Sequence, residues 1–117
     1  MAAIYINEYG SITVSDKVIA KIVSEAVYET YGIVGMAAKN TKDGIYELLN
    51  LENATKGVEV KTDENNKVNI RISVIIEYGV RISVVAENII DKVKYYVEKN
   101  TGLDVNSITI RVEGIRV

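Results

Sequence analysis

Two pairs of carboxylates, Glu25 with Glu29 and Glu87 with Asp91, stand four residues apart, the spacing that brings both acids of a pair onto one helix face. Paired acids can divide general-acid and general-base work, but only where an apolar pocket drives their pKa values apart. Lys21 and Lys92 adjoin these pairs, so the pattern predicts a solvated helix face and not a catalytic dyad. A second cluster, Asp63, Asn65 and Asn66 in TDENNKVN, offers the oxygen donors of a calcium loop. An EF-hand loop starting at Asp63 needs Gly at its sixth position and Glu at its twelfth, and these are Val68 and Val74. A hairpin turn accounts for the segment better.

Other routes to chemistry close on composition. The chain has no histidine and no cysteine, which removes the commonest general base, the thiolate nucleophile and the usual transition-metal ligands. Its glycines are isolated, with no phosphate-binding fingerprint. A serine or threonine nucleophile would have to use a lysine or a carboxylate as base, and no spacing supports one. The expectation is a protein that is not an enzyme and holds no cofactor and no metal.

What remains is surface. All four arginines, Arg71, Arg81, Arg111 and Arg116, fall in the second half of the chain. Arg71 and Arg111 lie on the polar side of their strands, with Glu59, Lys61, Glu77 and Glu113 expected beside them. Such a set reads either as a cross-strand charge ladder that keeps an open sheet face soluble, or as a docking surface. Ile75, apolar on that polar face, inclines the reading towards docking on a protein partner or a second copy. Tyr28 and Tyr95 point away from the apolar stripes of their helices and are further interface candidates. The net charge of −2 and the interleaved acids argue against nucleic acid.

The elements that must position these residues follow from periodicity. Ile4 and Ile6, then Ile12 and Val14, predict a small hairpin around NEYGS. Ser15 caps a helix whose stripe is Val18, Ile19, Ile22, Val23, Ala26 and Val27, with Gly32 as its left-handed terminus. A strand over 33–38, a loop at NTKDG and a short helix over 45–57 come next. Val58 and Val60, then Val68, Ile70, Ile72, Val74 and Ile76, predict a second hairpin. Ser83 is expected to cap a second helix with stripe Ala86, Ile89, Ile90, Val93 and Val97, closed by Gly102 and Leu103. The last strand carries Ile108, Ile110 and Val112 on one face and a bulge at Gly114.

The order is β-β-α-β-(α)-β-β-α-β in one domain over 1–117, an α+β two-layer sandwich with both main helices on one face of a mixed sheet. Crossover rules place the strand after each helix parallel to the one before it, if the two share a sheet. The recurring Tyr-Gly steps at 9–10, 31–32 and 78–79 are read as joints needing positive φ or close approach, with the tyrosines covering element ends. No run of about 18 apolar residues spans a membrane, and MAAIYINEYG lacks the features of a signal peptide. A cytoplasmic protein is expected.

The stretch YGSITVSDKVIAKIVSEAVYETYGIVGMAAK resembles the opening of the alkaline shock proteins, the Gls-type envelope stress response family. IYELLNLENATKGVEV is similar to that family's middle segment. IIEYGVRISVVAENIIDKVKYYVEKNTGLDVNSITIRVEGI follows its pattern of V-x-Y-G-x-x-I-x-x-V-A, a helix ending in T-G-L, and V-x-V-x-V-x-G. Ser83 departs from the pattern, standing where many members have Pro. The resemblance implies a non-catalytic protein of cell-envelope homeostasis and stress, held near the membrane by a partner, and it supplies no catalytic or ligand residues. The competing reading is a cytoplasmic regulator of lipid or acyl metabolism, acting on an enzyme or binding a small ligand.

Overall fold

A computed structural model describes residues 3–39 and 44–117, with the backbone alone at 3–5, 51 and 52. The chain runs β1 (Ala3–Asn7), β2 (Gly10–Val14), α1 (Asp16–Tyr28), β3 (Ile33–Lys39), β4 (Tyr46–Leu48), a 3-10 helix (Leu51–Gly57), β5 (Val58–Thr62), β6 (Val68–Glu77), α2 (Ile82–Thr101) and β7 (Val105–Arg116). It is the expected α+β sandwich.

β6 organises the sheet. Its alternating Val68, Ile70, Ile72, Val74 and Ile76 are buried in the core. Against them pack Ile19, Val23, Ala26 and Val27 of α1 and Val85, Ile89, Val93 and Val97 of α2. Burying each such aliphatic side chain stabilises the fold by about 1.5–3 kcal/mol. β7 runs parallel to β6 along its whole length, as expected for strands joined through α2, and the register slips between Val112 and Gly114, at the bulge that the broken alternation predicts.

With β7 filling one edge of β6, the other edge is shared. β3 pairs antiparallel with Val74–Ile76, and β5 pairs antiparallel with Val68–Ile72. The two strands thus meet almost end to end opposite Ser73. Beyond Met36, β3 peels away to pair with β4. The chain returns through the 3-10 helix, whose Gly57 packs so tightly that a Cβ there would lie 2.9 Å from the Ala37 carbonyl oxygen.

Several expectations are corrected. The short helix over 45–57 is instead β4 and the 3-10 helix, because its apolar residues lack a sustained period and Asn50 starts a tight turn by accepting from the Asn53 amide. α1 ends at Tyr28, earlier than Gly32, where Thr30 Oγ1 donates back to the Ala26 carbonyl. Gly32 still has φ +93°, in the turn before β3, where a Cβ would meet Val85 Cγ2 at 2.9 Å. α2 begins at Ile82 with Arg81 at its N-cap position and no side-chain cap, so Ser83 lies inside the first turn. Val85, not Ala86, is the buried residue of that turn.

Of the Tyr-Gly steps, Gly32 and Gly79 are left-handed and Gly10 is not, and Tyr9, Tyr31 and Tyr78 are exposed instead of covering element ends. β1 and β2 pair only with each other among the described residues, so the strand preceding α1 never joins the sheet and the crossover rule does not apply to it. The NTKDG loop lies outside the described residues except for Gly44. Ser15 capping α1 and Gly102 closing α2 are as expected.

Candidate functional site

The face of β6 turned away from the helices carries Asn69, Arg71, Ser73, Ile75 and Glu77, because side chains alternate along a strand. Pairing extends each position sideways. Arg71 lies between Glu59 of β5 and Thr109 of β7, Ser73 faces Arg111, and Ile75 lies between Gly35 and Gly114. On the Gly35 side the space is taken by Leu48 and Tyr28, whose Cδ1 and hydroxyl would lie 2.8 and 3.3 Å from a Cβ there, whereas at Gly114 a Cβ would meet Cγ1 of half-buried Ile75 at 3.7 Å. Glu59 takes two cations, Lys61 at 3.2 Å and Arg71 at 3.7 Å. Arg111 Nε sits 2.9 Å from Glu113 Oε1.

Opposite Ser73, where β3 departs and β5 arrives, the sheet edge opens into a concavity of about 370 Å³. Lys39 comes from the end of β3, Tyr46 from β4, Lys56 from the 3-10 helix, and Arg71, Ser73 and Arg111 from the sheet floor. Four cations line this notch, and among the described residues Glu59 is the one carboxylate in its lining. Lys39 and Lys56 have no ion-pair partner among the described residues. A chain with 14 basic and 16 acidic residues has therefore collected an excess of positive charge at one place.

The fold brings Arg71, Ile75 and Arg111 together on one surface and sends the two tyrosines elsewhere. Tyr28 is half-buried: its hydroxyl donates to the Leu49 carbonyl at 3.4 Å and accepts from the Met36 amide at 3.3 Å. That pairing ties it to the fold. Tyr95 is exposed on α2, in the helical layer, with Lys99 Nζ 5.3 Å from its ring centroid. Sequence reasoning missed Lys39, Tyr46, Lys56 and Ser73. No local signal marks them, since they meet only through the shared edge of β6.

The carboxylates singled out by spacing take the following places. Lys21 approaches Glu25 at 4.0 Å with both side chains about two-thirds exposed. Asp63 Oδ1 accepts from the Asn65 and Lys67 amides at 2.9 and 3.0 Å, which makes it the organiser of the β5–β6 turn. Among the described residues no group of three acids could hold a metal ion. Glu29 accepts a 2.5 Å hydrogen bond from the Tyr96 hydroxyl. This bond, reinforced by desolvation and by the negative charge of Glu29, raises the Tyr96 pKa above the ordinary tyrosine value. Tyr96 and Glu29 line a concavity of about 540 Å³ between the helices, with Tyr31, Asp91 and Tyr95.

The architecture defines a class: a two-layer α+β domain with one sheet face covered by helices and the other open. Residues 5–117 match the alkaline shock protein 23 family, described as having a cell envelope-related function, and the chain belongs to that family. It is 46% identical over 112 residues to the uncharacterized protein YloU of Bacillus subtilis, covering 95% of this chain and 92% of that one. It is 38% identical over 109 residues to the uncharacterized protein Spy1614 of Streptococcus pyogenes, covering 92% and 89%. A stress response regulator gls24 homolog of Streptococcus pyogenes is 30% identical over 110 residues, covering 92% of this chain and 59% of that protein. No solved structure matches. No described helix is long and apolar enough to cross a membrane.

Proposed function

We propose that this chain is a non-catalytic docking domain of the cell-envelope stress response, acting in the cytoplasm and reaching the membrane through a protein partner or a second copy. The observation that carries the reading is the asymmetry of the sheet. One face of β6 is consumed by the helices, while the other presents Arg71, Ser73, Ile75 and Arg111 exposed or half-buried. Arginine beside a partly exposed aliphatic residue on a flat strand surface suits an interface, where such side chains anchor binding once water is excluded. The family's cell-envelope description and the stress-response name of the gls24 homolog support the cellular setting.

Affinity capture from native cells, with membrane and soluble fractions kept apart, tests the proposal on the parent and on Arg111→Glu. An integral membrane protein or an untagged second copy is expected with the parent and lost with the variant, whose far-ultraviolet circular dichroism stays unchanged. Undiminished capture by Arg111→Glu removes this face from consideration. Recovery of a biosynthetic enzyme in place of a membrane protein favours regulation of lipid or acyl metabolism.

A further inference from the structure

We propose that the notch opposite Ser73 is a binding site for a phosphate-bearing group. The inference rests on the open sheet face being the working surface and names the chemistry that the face receives.

Charge is the first support. Lys39, Lys56, Arg71 and Arg111 surround one concavity, and the one carboxylate that the described residues bring to its lining, Glu59, already faces Arg71 and Lys61. A charge ladder that served solubility alone would pair each cation with an acid on the neighbouring strand, as Arg71 is paired with Glu59. Lys39 and Lys56 break that pattern: they have no acid partner among the described residues, and they reach the notch from a departing strand and a 3-10 helix. Like charges gathered in a concavity repel one another, and an anion seated among them relieves that repulsion.

Geometry is the second. About 370 Å³ is too much for a bare ion and is within the range of small-ligand sites. Ser73 and Tyr46 are among the lining residues, and hydroxyl side chains of this kind can donate to anionic oxygens. Arg71 Nη1 is 3.7 Å from Glu59, beyond hydrogen-bond distance, and Arg111 meets Glu113 through its Nε, which among the described residues leaves its terminal NH₂ groups for a ligand. Two guanidinium forks and two ammonium groups match a phosphate monoester, with its charge near −2 and three acceptor oxygens, better than a single carboxylate. The site is one notch bounded by Glu59 and Glu113, so it does not form the continuous basic track that a nucleic-acid backbone requires.

The test is a titration of the ¹⁵N-labelled full chain with inorganic phosphate, against sodium chloride at equal ionic strength, followed by flotation with phosphatidylglycerol vesicles. Saturable shifts are expected at the amides of Lys39, Gly57, Ser73 and Arg111. Apparent affinity falls at least tenfold in Lys39→Gln/Lys56→Gln and is unchanged in Lys17→Gln/Lys94→Gln, whose lysines lie on the helices. Flotation lost in the notch variant identifies a lipid headgroup as the source, whereas phosphate binding without flotation identifies a soluble phosphorylated ligand. Shifts no larger than those with chloride, shifts that persist in the notch variant, or displacement of phosphate by a polyglutamate peptide at lower concentration overturn the proposal. Partner capture that survives in Lys39→Gln/Lys56→Gln while phosphate binding is absent from the parent sinks the notch and leaves the docking face standing.

Discussion

Arg111 of β7 lies directly across the parallel ladder from Ser73 of β6 and holds Glu113, two residues along its own strand, at 2.9 Å. Neighbours on one strand normally alternate faces, but i and i+2 share one, and the slip at Gly114 leaves the Glu113 side chain only 15% exposed against 48% for Arg111. The carboxylate is therefore the member of the pair that depends on its partner.

Removing the guanidinium should expose that dependence. Arg111→Met is expected to lower stability by about 1 kcal/mol, since a largely buried acid loses its hydrogen-bonding cation. Adding Glu113→Gln should recover part of the loss. Urea denaturation of the two single variants and the double variant measures the coupling, and strictly additive effects would show that the pair contributes nothing.

Gly57 holds the junction between β3 and β5. A methyl group there would lie 2.9 Å from the Ala37 carbonyl oxygen and 3.1 Å from Met36 Cβ, and neither is the free end of a flexible side chain. Gly57→Ala should destabilise by roughly 1–3 kcal/mol, as small-to-large changes in packed sites do. The largest amide shifts should fall on Ala37, Ala38 and Ser73. A thermal midpoint equal to that of the parent would mean that the junction yields without cost.

The β1–β2 hairpin stands apart from the sheet, and an isolated two-stranded hairpin is marginal in water. Ile6 and Ile12 are 72% and 58% exposed. Ile12→Thr is expected to change global stability by less than about 0.5 kcal/mol, whereas Ile72→Ala, fully buried in β6, should cost about 2–5 kcal/mol. Hydrogen exchange should find the hairpin amides opening far more readily than those of Ile70–Val74. Equal protection in the two regions would contradict this arrangement.

Tyr96 supplies a pH prediction. Its hydroxyl donates to Glu29, and ionising it would replace that bond with two adjacent negative charges, so the folded-state pKa lies above the ordinary tyrosine value near 10. A raised pKa means that the stability from this bond is fully present below the unfolded tyrosine pKa and is lost as pH rises through the folded value. The Tyr96 ring resonances should titrate at lower pH in Glu29→Gln than in the parent. An identical midpoint would dissociate the shift from this hydrogen bond.

The regular elements were legible because their signals are local. Period-two alternation from Val68 to Ile76 and the helical stripe through Ile89, Val93 and Val97 report which face each element buries, whatever covers it. Gly102, with φ +75° and its amide donating to the Glu98 carbonyl, is a stop written within one turn of α2. The segment from Ile45 to Gly57 was misread because short apolar clusters without a period fit a strand, a 3-10 turn or a helix equally well. Tyr28 looked like an exposed anchor on a helical wheel, but its reach to Met36 and Leu49 depends on where β3 lies.

By itself the sequence determined two amphipathic helices, the central hairpin and the bulged final strand, along with the lack of histidine and cysteine that narrows the chemistry. Only the tertiary structure decided that β3 and β5 divide one edge of β6, that the first hairpin stays outside the sheet, and that Lys39 and Lys56 join Arg71 and Arg111 around Ser73. The physical reason is range. Side-chain periodicity is set by the few residues of one turn or one pleat, whereas edge sharing is a choice among backbone hydrogen-bond partners far apart in the chain. The charge of the notch follows from that choice and from nothing that neighbouring residues encode.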